Sequence, residues 1–206
     1  MEKEYTCRML SWEDARALAE IVAQKISQDG YMPDHIIGIT RGGWVPAVML
    51  SDLLEVKDLL SVRVEHWGMT GEKDAKAVLK YPLQTDLSGK KILLVDDLTD
   101  TGDSIALAMG EIKKHKAAEV RTATLIHKKQ SRIEPDYYAK KTDKWEWIIL
   151  PWNINEDLLH LSDKAGEGKE LSVEDTQKRL LKRFDLSVDK KTLESVLKRK
   201  GKIWVR

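Results

Sequence analysis

Four consecutive apolar residues, Ile92 to Val95, run straight into Asp96 and Asp97 and then into the polar stretch Leu98 to Ser104. A strand with one solvated face alternates in polarity, whereas a continuous apolar strand is expected where helices cover both faces of a parallel sheet. The residues that follow complete the pattern. Ile105, Ala108, Met109 and Ile112 recur at helical spacing, and Asp103 or Ser104 can cap a helix running to about Lys116. A buried strand, a short polar loop and an amphipathic helix place the chain in the α/β class.

The same order recurs upstream. His35 to Ile39 reads as a strand that ends in Thr40-Arg41-Gly42-Gly43-Trp44, and Val45 to Glu55 as the helix after it. Leu59 to Trp67, Glu119 to His127 and Trp145 to Trp152 are predicted as further strands. Ser11 and Asp14 resemble a capping box that opens a helix over roughly residues 12–28, with Leu18, Ala19, Val22 and Ile26 on one face. Gly68 to Lys80 is polar, holds two glycines and shows no period, so a long loop able to act as a lid is expected. The expected fold is an open, mostly parallel sheet flanked by helices, with its ligand outside the carboxyl ends of the strands. Arg41 to Gly43 and the aspartate-rich loop both fall there.

The 206 residues suffice for one domain and a small appendage, and 42% hydrophobic with 33% charged residues at net charge +1 describes a soluble globular chain. Cys7 stands alone, so no internal disulfide forms, and there is no charged-then-apolar leader or long apolar run. A cytoplasmic protein without a membrane partner is expected. His66, His127 and His160 lack metal-ligand spacing. Charge is uneven: residues 164–206 carry 13 Lys or Arg against 7 Asp or Glu, a net +6, and residues 1–163 are left at −5. A body over 1–163 and a basic tail over 164–206 are therefore expected, joined by a linker near Asp163 to Lys169. The tail reads as helices over Val173–Phe184 and Lys190–Lys200 and a short strand over Ile203–Val205. Its charge would suit nucleic acid, yet no aromatic-interleaved basic patch or recognition helix is visible, so nucleic acid is disfavoured and packing on the body or on a partner subunit is the expectation.

Asp96, Asp97, Asp100 and Asp103 lie within eight positions. Around them Thr99, Thr101, Gly102 and Ser104 offer hydroxyls and free N–H groups at the positive end of a helix, which suits a phosphate. Carboxylates aimed into that cradle would repel it, so the aspartates need other partners. Asp96 and Asp97 can accept from paired sugar hydroxyls or hold Mg2+ directly or through water, Asp100 is a candidate general acid or base, and Asp103 can cap the helix. The ligand implied is a sugar with a phosphate at one end and vicinal hydroxyls along its side.

Ile92 to Ile105 resembles the phosphoribosyl-pyrophosphate motif of the type I phosphoribosyltransferases. The similarity is greatest to the bacterial xanthine-guanine and archaeal 6-oxopurine branches. Ile39 to Ala47 resembles their first phosphate loop, Thr124 to Lys129 the strand with a purine-contacting lysine, and Trp147 to Asn153 a base-clamping hood; the resemblance spans about residues 10–155. It implies that Arg41, Gly42 and Gly43 bind pyrophosphate, with a cis Arg41–Gly42 bond, and that Asp96 and Asp97 take the ribose hydroxyls and help place Mg2+. Thr99, Asp100, Thr101, Gly102, Asp103 and Ser104 would surround the 5'-phosphate, with Asp100 near purine N7. Lys128 would meet the 6-oxo group, Trp147 would stack on the base and the Ile148 backbone would address its 2-position. The implied activity is Mg2+-dependent transfer of phosphoribose to xanthine, guanine or hypoxanthine, with Asp100 and Lys128 catalytic, in a homodimer or homotetramer. A non-catalytic sensor of phosphoribosyl pyrophosphate with a nucleic-acid-binding tail is the alternative, disfavoured because the base contacts are all present. Two residues depart from the xanthine-guanine branch: Asn153 stands where that branch has an acid, and Asp103 where it has glycine.

Overall fold

The computed structural model describes residues 2–67 and 76–199. In chain order the elements are β1 (Cys7–Met9), α1 (Trp12–Gln28), β2 (His35–Thr40), α2 (Trp44–Leu53), β3 (Leu59–Trp67), β4 (Lys76–Tyr81), β5 (Lys91–Thr99), α3 (Asp103–Lys114), β6 (Glu119–Lys128), β7 (Tyr137–Thr142), β8 (Trp147–Ile149), α4 (Ile154–Gly166), α5 (Val173–Phe184) and α6 (Lys190–Leu197). They form two compact units, one over Glu13–Lys144 and one made of the N-terminal residues through Trp12 together with Trp145 onward.

In the larger unit the strand order is β4-β3-β2-β5-β6-β7, parallel throughout except for the antiparallel edge strand β4. Ile92 to Val95 are at most 1% exposed, which bears out a strand covered on both faces. Ile37, Ile39, Ile92 and Leu94 share one cluster with Ile105, Ala108 and Ile112 of α3. The opposite face of β2 meets α2, where a Cβ added to Gly38 would lie 2.9 Å from Ala47 Cβ. Chain direction across the sheet reverses between β2, which leads through α2 to β3, and β5, which leads through α3 to β6. In open α/β sheets that reversal leaves a crevice at the carboxyl ends, where ligands bind.

Two strands of this unit escape the sequence pattern. Residues 76–80, expected to belong to a loop, are most of β4, which pairs with β3 from Tyr81 back to Lys76; the rest of that expected loop, 68–75, lies outside the described residues. The short polar-flanked sequence of β4 takes strand form from the pairing rather than from its own period. Strand β7 runs parallel to β6, yet the connection over 129–136 holds no helix, so the usual strand-helix-strand signature is missing.

The smaller unit corrects the expected strand over Trp145–Trp152. Only Trp147–Ile149 pairs, in parallel with β1 in a separate two-stranded sheet. The expected linker overlaps α4, which continues to Gly166 and closes on Glu167 at φ 54, so a boundary after residue 163 falls inside a helix. One buried cluster joins Cys7, Ile149, Leu158, Leu161 and Ala165 to Leu180, Phe184, Leu186, Val188, Leu193 and Val196. The tail thus shares a core with β1, β8 and α4. Ser172 caps α5 by accepting from the Asp175 N–H at 3.0 Å, whereas α6 stops at Leu197, short of the expected Lys200. The expected strand over 203–205 lies outside the described residues.

Much of the basic charge of the tail is engaged within this unit. Lys164 and Arg183 both pair with Glu4, Arg183 also with Glu167 at 3.0 Å, and Lys190 with Glu174 at 2.6 Å. Burial, with Asp157 second, pushes the Cys7 thiol up to about 12, so the cysteine behaves as a core residue. Among the described residues no helix is long and apolar enough to cross a membrane.

Candidate active site

The two glycines after β2 are explained by what lies beside them. A Cβ on Gly43 would sit 2.6 Å from Val95 O, 2.7 Å from Asp96 Cα and 2.8 Å from Ile39 O, all backbone; one on Gly42 would sit 1.9 Å from Asp97 Oδ2. The loop over 41–43 therefore lies directly on the end of β5, and two motifs far apart in sequence meet at the reversal point of the sheet. Trp44 and Ala47 donate their N–H groups back to Arg41 O and Gly43 O, each at 3.1 Å, turning the loop into α2. Arg41 is exposed. The cis peptide is Thr40–Arg41, one bond before the expected Arg41–Gly42, and so falls where the strand gives way to the loop. Gly43→Ala should lift the loop from β5, destabilise the fold by about 1–3 kcal/mol and weaken binding of a phosphorylated sugar. Gly110→Ala, with nothing within 4 Å of the added carbon, should do neither; paired urea melts and calorimetric titrations check both.

The four aspartates have separate partners. Asp96 Oδ1 accepts from the Asp97 N–H at 2.9 Å, and Asp97 packs its carboxylate on Gly42. Burial, and then the neighbouring charge of Asp97, holds the Asp96 carboxyl well above the usual carboxylate range. A cation or donating hydroxyls at this corner would relieve that repulsion. Among the described residues no group of three or more His, Cys, Asp or Glu could hold a metal alone. Mg2+ is commonly bound through one or two carboxylates with the remaining positions filled by phosphates and water, and Asp96 and Asp97 fit that partial role.

Strand β5 continues through Thr99, two residues beyond the expected end, and this alters the cradle. Thr99 is 1% exposed and donates its hydroxyl to Thr124 Oγ1 at 3.2 Å inside the sheet, so that hydroxyl does not face a phosphate. Gly102, at φ 90, is the N-cap of α3 in place of the expected Asp103 or Ser104. The left-handed backbone there suits glycine, and a Cβ would meet Ser131 Oγ at 2.8 Å and Ile133 Cβ at 3.1 Å. Asp103, inside the first turn, accepts from the Thr101 hydroxyl at 2.9 Å and from Arg132 at 3.1 Å. Ser104 is half-buried one residue further on.

Asp100 and Lys128, the two candidate catalytic residues, touch. The Lys128 ammonium, with its side chain only 4% exposed, donates to Asp100 Oδ2 at 3.0 Å. Gln130 donates its amide to Asp100 Oδ1, so both carboxylate oxygens are held. Gln130 carries no motif signal, and only the placement of the turn after β6 against the loop after β5 reveals it. Next to Lys128, the alternation of the strand puts His127 on the opposite face, 1% exposed against the ring of Tyr138 at 5.1 Å. Its Nδ1 has no hydrogen-bond partner among the described residues. Burial, with Lys141 second, lowers its pKa, so the unfolded chain takes up a proton first as pH falls. Stability should therefore drop as pH falls below the unfolded histidine value of about 6.5 and level off below the folded one. Urea melts at several pH values should show a shallower acid-side loss in His127→Leu than in the wild type.

The remaining candidates belong to the smaller unit. Trp147 is half-buried, with its indole N–H donated to Asp157 Oδ1 at 3.0 Å and its backbone N–H to Thr6 O at 2.9 Å. Ile148 is half-buried in β8 opposite Arg8. Asn153 is the N-cap of α4, without a capping bond from its side chain.

A phosphoribosyl transferase domain model matches residues 11–157. The chain is 31% identical over 154 residues to a xanthine-guanine phosphoribosyltransferase of Cereibacter sphaeroides, covering 70% of this chain and 86% of that protein. It is 23% identical to the hypoxanthine-guanine phosphoribosyltransferase of Saccharomyces cerevisiae over 84% of this chain and 95% of the yeast protein. Among solved structures, a purine phosphoribosyltransferase from Pyrococcus horikoshii superposes with a TM-score of 0.62 at 34% identity, covering 74% of this chain and 94% of that one. A domain match over most of the chain and relatives aligned along most of their length agree with the loops that meet at the ends of β2 and β5: the chain belongs to the phosphoribosyl transferase domain family.

Proposed function

We propose that this protein is a cytoplasmic, homo-oligomeric enzyme that transfers phosphoribose from phosphoribosyl pyrophosphate to a 6-oxopurine, releasing pyrophosphate and a nucleoside 5'-monophosphate. The observation that carries this reading is the Asp100–Lys128 pair between the ends of β5 and β6, next to the point where the chain direction across the sheet reverses. The relatives named for purine substrates support the choice of base.

In this reading a ring nitrogen of the purine forms a bond to C1' as the bond from C1' to the pyrophosphate oxygen breaks, through a transition state with oxocarbenium character. The purine gives up a proton. Lys128 donates toward the 6-oxo oxygen, which excludes a 6-amino group that offers no acceptor there. Asp100, held by Lys128 and Gln130, handles charge and the proton near N7. Arg41, Gly42 and Gly43 present donors to the pyrophosphate, and the N–H groups at the start of α3 hold the 5'-phosphate. Asp96 and Asp97 accept from the ribose hydroxyls and would help hold Mg2+, which neutralises charge on the leaving pyrophosphate when bound. For Trp147 and Ile148 we propose stacking on the base and backbone contact at its 2-position.

A steady-state panel with phosphoribosyl pyrophosphate and Mg2+ against hypoxanthine, guanine, xanthine, adenine and uracil tests the reading. Turnover confined to 6-oxopurines is expected. Turnover with adenine or uracil alone would overturn the role given to Lys128.

A further inference from the structure

We propose that Arg132 is a charge-matching residue of the phosphate cradle, holding the Asp103 carboxylate away from the incoming 5'-phosphate; this rests on the function proposed above. Asp103 puts a carboxylate in the first turn of α3, where the N–H groups suited to an anion are found. That carboxylate takes the Thr101 hydroxyl at 2.9 Å, a donor the phosphate would use. A phosphate that draws this hydroxyl away leaves Asp103 short of a partner and close to a like charge. Arg132 supplies the second donor, at 3.1 Å from Oδ1.

The placement of Arg132 is set by backbone as well as by charge. Its N–H donates to Thr101 O at 3.1 Å, and Ser131 N donates to Lys128 O at 2.9 Å, so the turn after β6 is tied to the cradle loop on one side and to β6 on the other. Ser131 and Ile133 close on Gly102 from the same turn. The guanidinium itself is 79% exposed, and an exposed ion pair contributes little to stability. Its consequence therefore lies in the electrostatics of the site. Like charges a few ångströms apart at a protein surface repel strongly enough to change the affinity of an anion beside Asp103 by a measurable factor.

The test is calorimetric binding of phosphoribosyl pyrophosphate with Mg2+ to the wild type, Arg132→Ala, Asp103→Asn and the double variant, each shown to be folded by its melting curve. Arg132→Ala should weaken binding by about tenfold, the scale of a partly screened like-charge contact, with the loss shrinking at high salt. Adding Asp103→Asn should restore affinity to within about threefold of the wild type, because the repelling charge is gone. Unchanged affinity in Arg132→Ala would overturn the inference while leaving the proposed function standing. An equal loss in the double variant would also overturn it, since Arg132 would then act on the phosphate itself. Absence of binding by the wild type would overturn the proposed function and this inference with it.

Discussion

Asp100→Asn and Lys128→Ala should each lower turnover with a 6-oxopurine by about 10²–10⁴-fold, the range supplied by positioned acid-base groups. Phosphoribosyl pyrophosphate binding should change far less, because the loops after β2 and β5 keep their contact through Gly42 and Gly43. The substitutions act from opposite sides of one pair. The amide introduced by Asp100→Asn would keep an oxygen to accept from the Lys128 ammonium but would lose the charge that manages the purine proton. Lys128→Ala would leave Asp100 hydrated, since that side chain is already 41% exposed, while removing the donor to the 6-oxo group. The two groups are in contact, so the double variant should lose less than the product of the single losses. Single-turnover rates measured beside calorimetric titrations separate chemistry from binding. Turnover near the wild type in both single variants would remove Asp100 and Lys128 from the mechanism.

Phe184→Ala should destabilise the protein by about 3–5 kcal/mol, as expected for emptying a fully buried aromatic site. Phe184 is 0% exposed, lies 5.0 Å from the Tyr5 ring and joins the cluster that holds Ile149, Leu158 and Leu161 together with Leu180 and Leu193. Truncation after residue 163 would strip the same cluster of Leu180, Phe184, Leu186, Val188, Leu193 and Val196, so residues 1–163 should not reach a native fold alone. Urea melts of Phe184→Ala and solubility of the truncated chain check the two statements. A loss under about 1 kcal/mol with a soluble truncated form would mean that the tail is an accessory laid on a finished fold.

What was legible in the sequence follows from where the information is local. The apolar run Ile92 to Val95 and the helical spacing of Ile105, Ala108 and Ile112 state their own burial, and β5 and α3 fall close to their expected limits. Strands β4 and β7 were not legible, because one takes its form from an antiparallel neighbour and the other follows a crossover without a helix. The tail charge suggested a boundary, but charge reports solvent exposure of one face; Leu180 and Phe184 on the other face decide where α5 belongs. At the site, residue types were legible and orientations were not. Thr99 and Thr101 both looked like phosphate donors, yet the continuing pleat of the strand sends the Thr99 hydroxyl to Thr124, and Asp103 captures that of Thr101. Gln130 and Arg132 gain meaning only from the turn that lays them against Asp100 and Asp103.

The most direct measurement is phosphorus NMR of the protein with phosphoribosyl pyrophosphate, Mg2+ and guanine, hypoxanthine or xanthine. Pyrophosphate and a nucleoside 5'-monophosphate should appear together in equal amounts and only when both substrates are present. Unchanged phosphoribosyl pyrophosphate with all three bases, or pyrophosphate released beside ribose 5-phosphate without the nucleotide, would contradict phosphoribosyl transfer to a 6-oxopurine.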